Sequence, residues 1–215
     1  MNNMSRRIIF ATGNEEKMKE IRQIMAGFPV QILSMKEAGI KCDVDENGTT
    51  FAQNARIKAG EIAKKWKEMT EKTGENYEDI VLADDSGLEI DALNKEPGVY
   101  SARYMGEDTP YHEKNTNLIS RLEGVLQEDR TARFVCAIAA YLPDGRVLDT
   151  RATIEGYIGY EEKGENGFGY DPIFFVPEFG CTTAQLSMEQ KNKISHRGKA
   201  LTAMKEKLLQ EGLLD

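Results

Sequence analysis

Short apolar runs alternate with amphipathic stretches through the first half of this chain, a pattern that predicts strands interleaved with helices. Arg7-Ile8-Ile9-Phe10-Ala11 reads as a buried first strand. Asn14 then caps a helix in which Met18, Ile21, Ile24 and Met25 recur at helical spacing. Val30 to Leu33 reads as a second short strand. Thr50, with Gln53 three residues later, has the spacing of a capping box. The helix it opens carries Phe51, Ala55, Ala59, Ile62 and Trp66 along one face. Glu71 to Asp79 is mostly polar, and Gly74 within it marks the end of that helix.

Ile80 to Ala83 and Leu88 to Leu93 read as two further strands, separated by Asp84-Asp85-Ser86-Gly87. Thr109-Pro110 suits the cap and first position of a helix whose core face is Leu118, Ile119, Leu122 and Val125. Arg133 to Tyr141 and Arg146 to Tyr157 are β-rich runs flanking the turn signal Pro143-Asp144-Gly145. A glycine-rich loop, Gly164 to Gly169, precedes a strand at Pro172 to Val176, and a helix through Leu201, Met204, Leu208 and Leu209 closes the chain. Strands alternate with helices early and pair as a hairpin later, so the class is α/β with a mixed sheet. No repeat, low-complexity tract or linker interrupts residues 1–215, which read as one domain.

Composition narrows the partners. With 40% apolar residues among 215 the chain fills a packed core, and periodic segments from end to end exclude disorder. A net charge of -8 argues against a duplex nucleic-acid partner, whose affinity rests on Lys and Arg, but leaves room for a single nucleotide. Cys42, Cys136 and Cys181 are widely spaced and only two histidines are present, so no Cys/His metal cluster assembles. Reduced thiols, no signal-like start and no apolar run of membrane length point to a soluble, cytoplasmic protein.

Five segments carry candidate chemistry. Asp84 and Asp85, with Ser86 and Gly87, deliver hard oxygen ligands at a strand exit, where open α/β sheets bind ligands. A Mg²⁺ ion takes one or two such carboxylates and completes its shell with water and phosphate. Successive strand residues face opposite ways, so one of the two reaches the metal, and pattern alone does not say which. Asp45-Glu46-Asn47-Gly48 offers a second acid cluster, or else a solvated turn. Thr12-Gly13-Asn14-Glu15-Glu16-Lys17 leads from strand to helix, where backbone N–H groups favour anions and Lys17 adds a point charge; by itself it also reads as ordinary capping.

The last two groups lie near the C-terminus. Phe168 and Tyr170, set among Gly167, Gly169 and Asp171, offer rings that stack on a base and a carboxylate that accepts its hydrogen bonds, or a strand start with aromatics packed inward. Lys191 and Ser195-His196-Arg197-Gly198 supply a guanidinium suited to bidentate recognition and an imidazole, or a polar helix entry. His112 lies in a charged helix start and is expected at the surface.

Ala11-Thr12-Gly13-Asn14-x-x-Lys17, Ala83-Asp84-Asp85-Ser86-Gly87-Leu88, Pro97-Gly98-Val99-Tyr100-Ser101-Ala102-Arg103-Tyr104, Gly167-Phe168-Gly169-Tyr170-Asp171-Pro172-Ile173-Phe174 and Ile194-Ser195-His196-Arg197-Gly198 occur in this order. Together they closely resemble the inosine triphosphate pyrophosphatase family, across nearly the whole chain. The resemblance implies an elongated mixed sheet flanked by helices, two lobes around a central nucleotide-binding cleft, and a homodimer. It also implies Mg²⁺-dependent hydrolysis of the non-standard purine triphosphates ITP, dITP and XTP to the monophosphate and pyrophosphate.

By position, the resemblance makes Asp85 metal ligand and general base, with Asp45 the other metal acid and Glu46 its adjacent alternative. Thr12, Gly13, Asn14 and Lys17 hold the triphosphate, and Ser86 contacts substrate. Phe168, Gly169, Tyr170, Asp171, Lys191, His196 and Arg197 form the base and phosphate pocket. Gln53 stands where many bacterial relatives have an acid, which either assists the metal or merely caps the helix. The rival readings are a pyrophosphatase for other modified or pyrimidine triphosphates, and a nucleotide-sensing module without hydrolysis.

Overall fold

The computed structural model describes residues 7–74 and 78–213. Among these described residues seven strands form one mixed sheet in the order β2-β1-β3-β4-β5-β6-β7, and five helices accompany it. The strands are β1 (Arg7–Phe10), β2 (Gln31–Ser34), β3 (Ile80–Ile90), β4 (Thr131–Tyr141), β5 (Val147–Ile158), β6 (Phe174–Val176) and β7 (Cys181–Thr182). The helices are α1 (Glu15–Ile24), α2 (Phe51–Thr73), α3 (Tyr111–Arg121), α4 (Met188–Ile194) and α5 (His196–Gln210). The chain divides into two compact units, Met1–Asp85 with Ala137–Arg151 and Ala200–Asp215, and Ser86–Cys136 with Ala152–Lys199.

In the first unit β1 pairs in parallel with both β2 and β3, with Phe10 opposite Ser34 and Leu82. Parallel strands are buried and read as unbroken apolar runs. Ile8, Ile9, Ile80, Val81 and Leu82 are accordingly inaccessible to solvent. Helix α1 starts at Asn14, whose side chain accepts the Glu16 and Lys17 N–H groups. Helix α2 starts at Thr50 and stops at Gly74, which takes the left-handed conformation (φ 73°) that glycine adopts without strain. Its buried face is Phe51, Ala55, Ala59, Ile62 and Trp66, as the spacing predicts, and the indole N–H of Trp66 donates to Asp79.

The second unit has its own core of Leu88, Ile90, Leu118, Leu122, Phe134, Ile158, Ile173 and Phe174 with their neighbours. Strand β6 lies antiparallel to β5, with Tyr157 opposite Phe175. A Cβ on Gly156 would stand 2.3 Å from the Phe175 carbonyl oxygen, so this close approach requires glycine. Arg130 is 1% exposed and donates to the carbonyls of Leu122, Ile158 and Gly159, thereby satisfying the end of α3.

Two expectations are corrected. The runs Ile80 to Ala83 and Leu88 to Leu93 are not separate strands: β3 continues through Asp84, Asp85, Ser86 and Gly87. Polar side chains are tolerated within a strand once other elements supply their partners, which no local pattern reveals. Leu209 is 47% exposed rather than buried, while Ala200, Leu201, Met204 and Leu208 carry the core face of α5.

Candidate active site

Strand β1 ends opposite Leu82, so Asp84 and Asp85 lie on the part of β3 that runs past it. The chain leaving β1 turns through Thr12, whose Oγ1 accepts the Asn14 N–H at 3.1 Å. Asn14 Oδ1 in turn accepts from Glu16 and Lys17 at 3.0 and 3.1 Å. Space lies open where a Gly13 Cβ would stand. Lys17, one turn into α1, reaches Asp84 of β3 with 3.0 Å between Nζ and Oδ2. The capping reading of this segment is therefore realised, and its lysine meets an acid.

Asp84 and Asp85 have different partners, as their alternating directions require. Asp84 is 0% exposed and takes Lys17, whereas Asp85 accepts from Asn54 Nδ2 at 3.0 Å. Asn54 Oδ1 accepts the Gly48 N–H at 2.8 Å, so one amide ties the acidic Asp45 to Gly48 segment to Asp85. A Cβ on Gly48 would lie 2.6 Å from that oxygen. Burial pushes the Asp85 carboxyl up to about 6, against the pull of Lys58, Asn54 and Lys17. Lys58 Nζ lies 2.8 Å from Glu46 Oε1 and donates to the Asp84 carbonyl at 3.2 Å. Burial draws the Lys58 ammonium down, but the charges of Asp84, Glu46 and Asp85 outweigh it and leave its pKa raised.

In the second unit Ser86 Oγ accepts from Arg197 Nη2 at 3.0 Å. The half-buried Phe168 ring has the Lys191 ammonium 5.0 Å and the Arg197 guanidinium 5.7 Å from its centre. Lys191 is paired to Asp171 at 2.6 Å. That carboxylate also accepts the Phe168 N–H at 2.8 Å and the Thr183 hydroxyl at 2.8 Å. A Cβ on Gly167 would stand 2.2 Å from Asp171 Oδ2 and 3.2 Å from Lys191 Nζ, so this packing requires glycine there. Tyr170 is buried, and its hydroxyl donates to the Ser101 carbonyl at 2.7 Å. His196 stacks on Phe134 at 4.9 Å with 19° between the rings. Gly198 keeps the start of α5 against Asn192 O, which a Cβ would approach to 1.8 Å. His112 is exposed, as expected, and meets Glu162.

Residues 8–207 match the sequence model of the Ham1 family. The chain belongs to the Ham1 family. This Ham1 protein is 48% identical to the dITP/XTP pyrophosphatase of Caldanaerobacter subterraneus subsp. tengcongensis, over 94% of the chain and 96% of that protein. It is 43% identical to the dITP/XTP pyrophosphatase of Clostridium perfringens, over 94% of the chain and 97% of the relative. Among solved structures, the Staphylococcus aureus Ham1 protein superposes with a TM-score of 0.81 at 39% identity, covering 96% of this chain and all of that one.

Three polar residues of this Ham1 protein that sequence reasoning gave no role stand beside the expected ones: Asn54 and Lys58 on α2, and Thr183 after β7. The available signal for the first two was their spacing of four on a helix whose apolar face includes Phe51, Ala55 and Ile62. Gln53 caps, its Oε1 accepting the Thr49 N–H at 2.8 Å and the Thr49 hydroxyl at 2.9 Å. Asp45 is exposed, while its neighbour Glu46 is half-buried and joined to Lys58.

The donors suit a hard divalent cation. Asp85 is a buried carboxyl whose ionised form is disfavoured by burial, and Glu46 offers a second carboxylate near Lys58. Among the described residues no group of three or more His, Cys, Asp or Glu is arranged to hold a metal ion. A cation that takes one or two carboxylates and fills its shell with phosphate and water, as Mg²⁺ does, fits such a set. No helix among the described residues is long and apolar enough to cross a membrane.

Proposed function

We propose that this Ham1 protein hydrolyses the non-standard purine nucleoside triphosphates dITP, ITP and XTP to the monophosphate and pyrophosphate, and so clears them from the nucleotide pool. The observation that carries the reading is the buried Asp85 carboxyl, held by Asn54 Nδ2 at 3.0 Å with the charges of Lys58 and Lys17 beside it. A carboxylate fixed in this way can orient a water molecule and accept its proton. The names of the Ham1 relatives support the substrate class.

In this reading Asp85 orients the attacking water and takes its proton as the water meets the α-phosphate. Lys17 and Lys58, with Thr12, Gly13 and Asn14 at the start of α1, hold the phosphates. Their fixed positive charge stabilises the pyrophosphate as it leaves. Mg²⁺, held by Asp85 and an acid of the Asp45-Glu46 pair, supplies phosphate neutralisation and acidifies water when bound. Glu46 is favoured of the two, because Lys58 joins it to the Asp84 carbonyl.

Phe168 offers its ring for stacking, while Arg197, His196 and Ser86 present hydrogen-bonding groups to a base or phosphate. A 6-oxo purine satisfies donors that the adenine amino group would leave unpaired, at a cost of about 1–3 kcal/mol each. Asp171 is already bonded to Lys191, Thr183 and Phe168, so its part is to brace the loop. Tyr170 and Gly169 serve through the same loop. The protein acts as a cytoplasmic homodimer, in keeping with the resemblance and with Cys42, Cys136 and Cys181 forming no disulfide among the described residues.

Pyrophosphate release from dITP, ITP, XTP, dATP, dGTP, dTTP and UTP, with and without Mg²⁺, tests the proposal. The expected result is Mg²⁺-dependent turnover of the first three with kcat/KM far above the rest. Preference for a pyrimidine triphosphate, or release of orthophosphate alone, overturns it.

A further inference from the structure

Gly169 takes the left-handed conformation (φ 69°) between Phe168 and Tyr170, and its carbonyl is held from outside the loop. Asn115 of α3 donates from Nδ2 to Gly169 O at 3.2 Å and to Glu162 Oε1 at 2.6 Å. These two bonds set the orientation of the amide, since a flip would turn its oxygen towards two acceptors. The other Glu162 oxygen faces the exposed His112, 2.5 Å from Nδ1.

Asn115 is 1% exposed, and among the described residues its Oδ1 has no hydrogen-bond partner. Burying half of an amide unsatisfied is costly, and an apolar side chain would fill a packing position more cheaply. The amide is therefore better explained by what its other half holds. Phe168 is anchored through its N–H to Asp171, and Tyr170 through its hydroxyl to Ser101 O. Asn115 anchors the residue between them.

We propose that Asn115, braced by Glu162, is a positioning residue for purine recognition: by holding the Gly169 carbonyl it sets the plane of the Phe168 ring against which the base stacks. The inference rests on the proposed function, and assigns α3 a part in base selection that no motif indicated. Its effect falls on ligands that carry a base and spares those that are phosphate alone.

Three variants test it: Asn115→Ala, Glu162→Ala and Glu162→Gln, each with KM and kcat for ITP and with inhibition by pyrophosphate. Stacking on an aromatic ring contributes enough that Asn115→Ala should raise KM about tenfold or more. The change should fall on KM rather than kcat, with the pyrophosphate inhibition constant unmoved. Glu162→Ala should follow in the same direction. Glu162→Gln, which keeps an oxygen facing Asn115, should restore the wild-type KM. If Asn115→Ala does not fold, the two Glu162 variants decide alone.

An unchanged KM in Glu162→Ala, or pyrophosphate inhibition weakening in step with KM, overturns the inference while wild-type ITP turnover leaves the proposed function standing. A wild-type protein that hydrolyses none of ITP, dITP and XTP overturns both.

Discussion

Lys17 Nζ sits astride the Asp84 carboxylate, 3.2 Å from Oδ1 and 3.0 Å from Oδ2. The two residues are 67 positions apart, one on the first helix and the other on a strand that runs past its parallel neighbour. Asp84 is inaccessible to solvent and the Lys17 side chain is 17% exposed, so the pair is shielded from the screening that makes surface ion pairs weak. Together they place a fixed cation beside Asp85 before any substrate arrives.

Removing Lys17 should therefore act twice. Lys17→Ala should lower stability by about 1–3 kcal/mol through the charge left on Asp84, and much less in an Asp84→Asn background. Urea unfolding of the four proteins of that cycle measures the coupling, and none would refute the pairing. Lys17→Ala should also weaken ITP binding at least tenfold, by about the worth of a charge-assisted hydrogen bond, while sparing inosine. An equal loss for both would mean that Lys17 supports only the fold.

Asp85→Asn should abolish turnover yet stabilise the metal-free protein above neutral pH. The folded-state pKa of about 6 exceeds the ordinary 3.8, so between those values the native state binds more protons than the unfolded chain. Stability consequently falls as pH rises through that window, and the deficit above it is about 3 kcal/mol. Asparagine carries no charge to desolvate, so its advantage should be full at alkaline pH and fade as the wild-type carboxyl becomes protonated. Equal melting temperatures of the two metal-free proteins at alkaline pH would contradict the burial argument.

Gly167→Ala should damage the loop proposed to bind the base. Its Cβ would meet Asp171 Oδ2 at 2.2 Å, in a left-handed backbone (φ 74°) that alanine resists. Asp171 and Lys191 are both buried, so neither can move away cheaply. A loss of about 2 kcal/mol is expected, together with weaker nucleotide binding. Wild-type stability and KM would show that the Asp171–Lys191 pair tolerates displacement.

Arg197→Lys keeps the charge but loses the planar fork that now reaches Ser86 Oγ. The ITP-to-ATP ratio of kcat/KM should fall about tenfold, the scale of one unpaired buried donor. If both rates drop together and the ratio holds, Arg197 serves phosphate or fold instead of the base.

What the chain determined locally is the set of helix ends and apolar faces. Asn14 and Thr50 cap the helices they precede and Gly74 ends the second, because capping is satisfied by backbone groups within a few residues. The acids, lysines and glycine-flanked aromatics could be picked out as candidates because their chemistry is carried by residue type. Tertiary structure alone decided how they are used. Strand β3 runs on through Asp84 to Gly87 because Lys17, Asn54 and Arg197 meet its polar side chains from distant segments. Asp171 became a brace once Lys191 and Thr183 closed on it, and Asn115 acquired Gly169, 54 residues away. A buried polar group has to find a partner, but its own neighbourhood in the sequence does not say which one, since that depends on which elements the fold brings beside it.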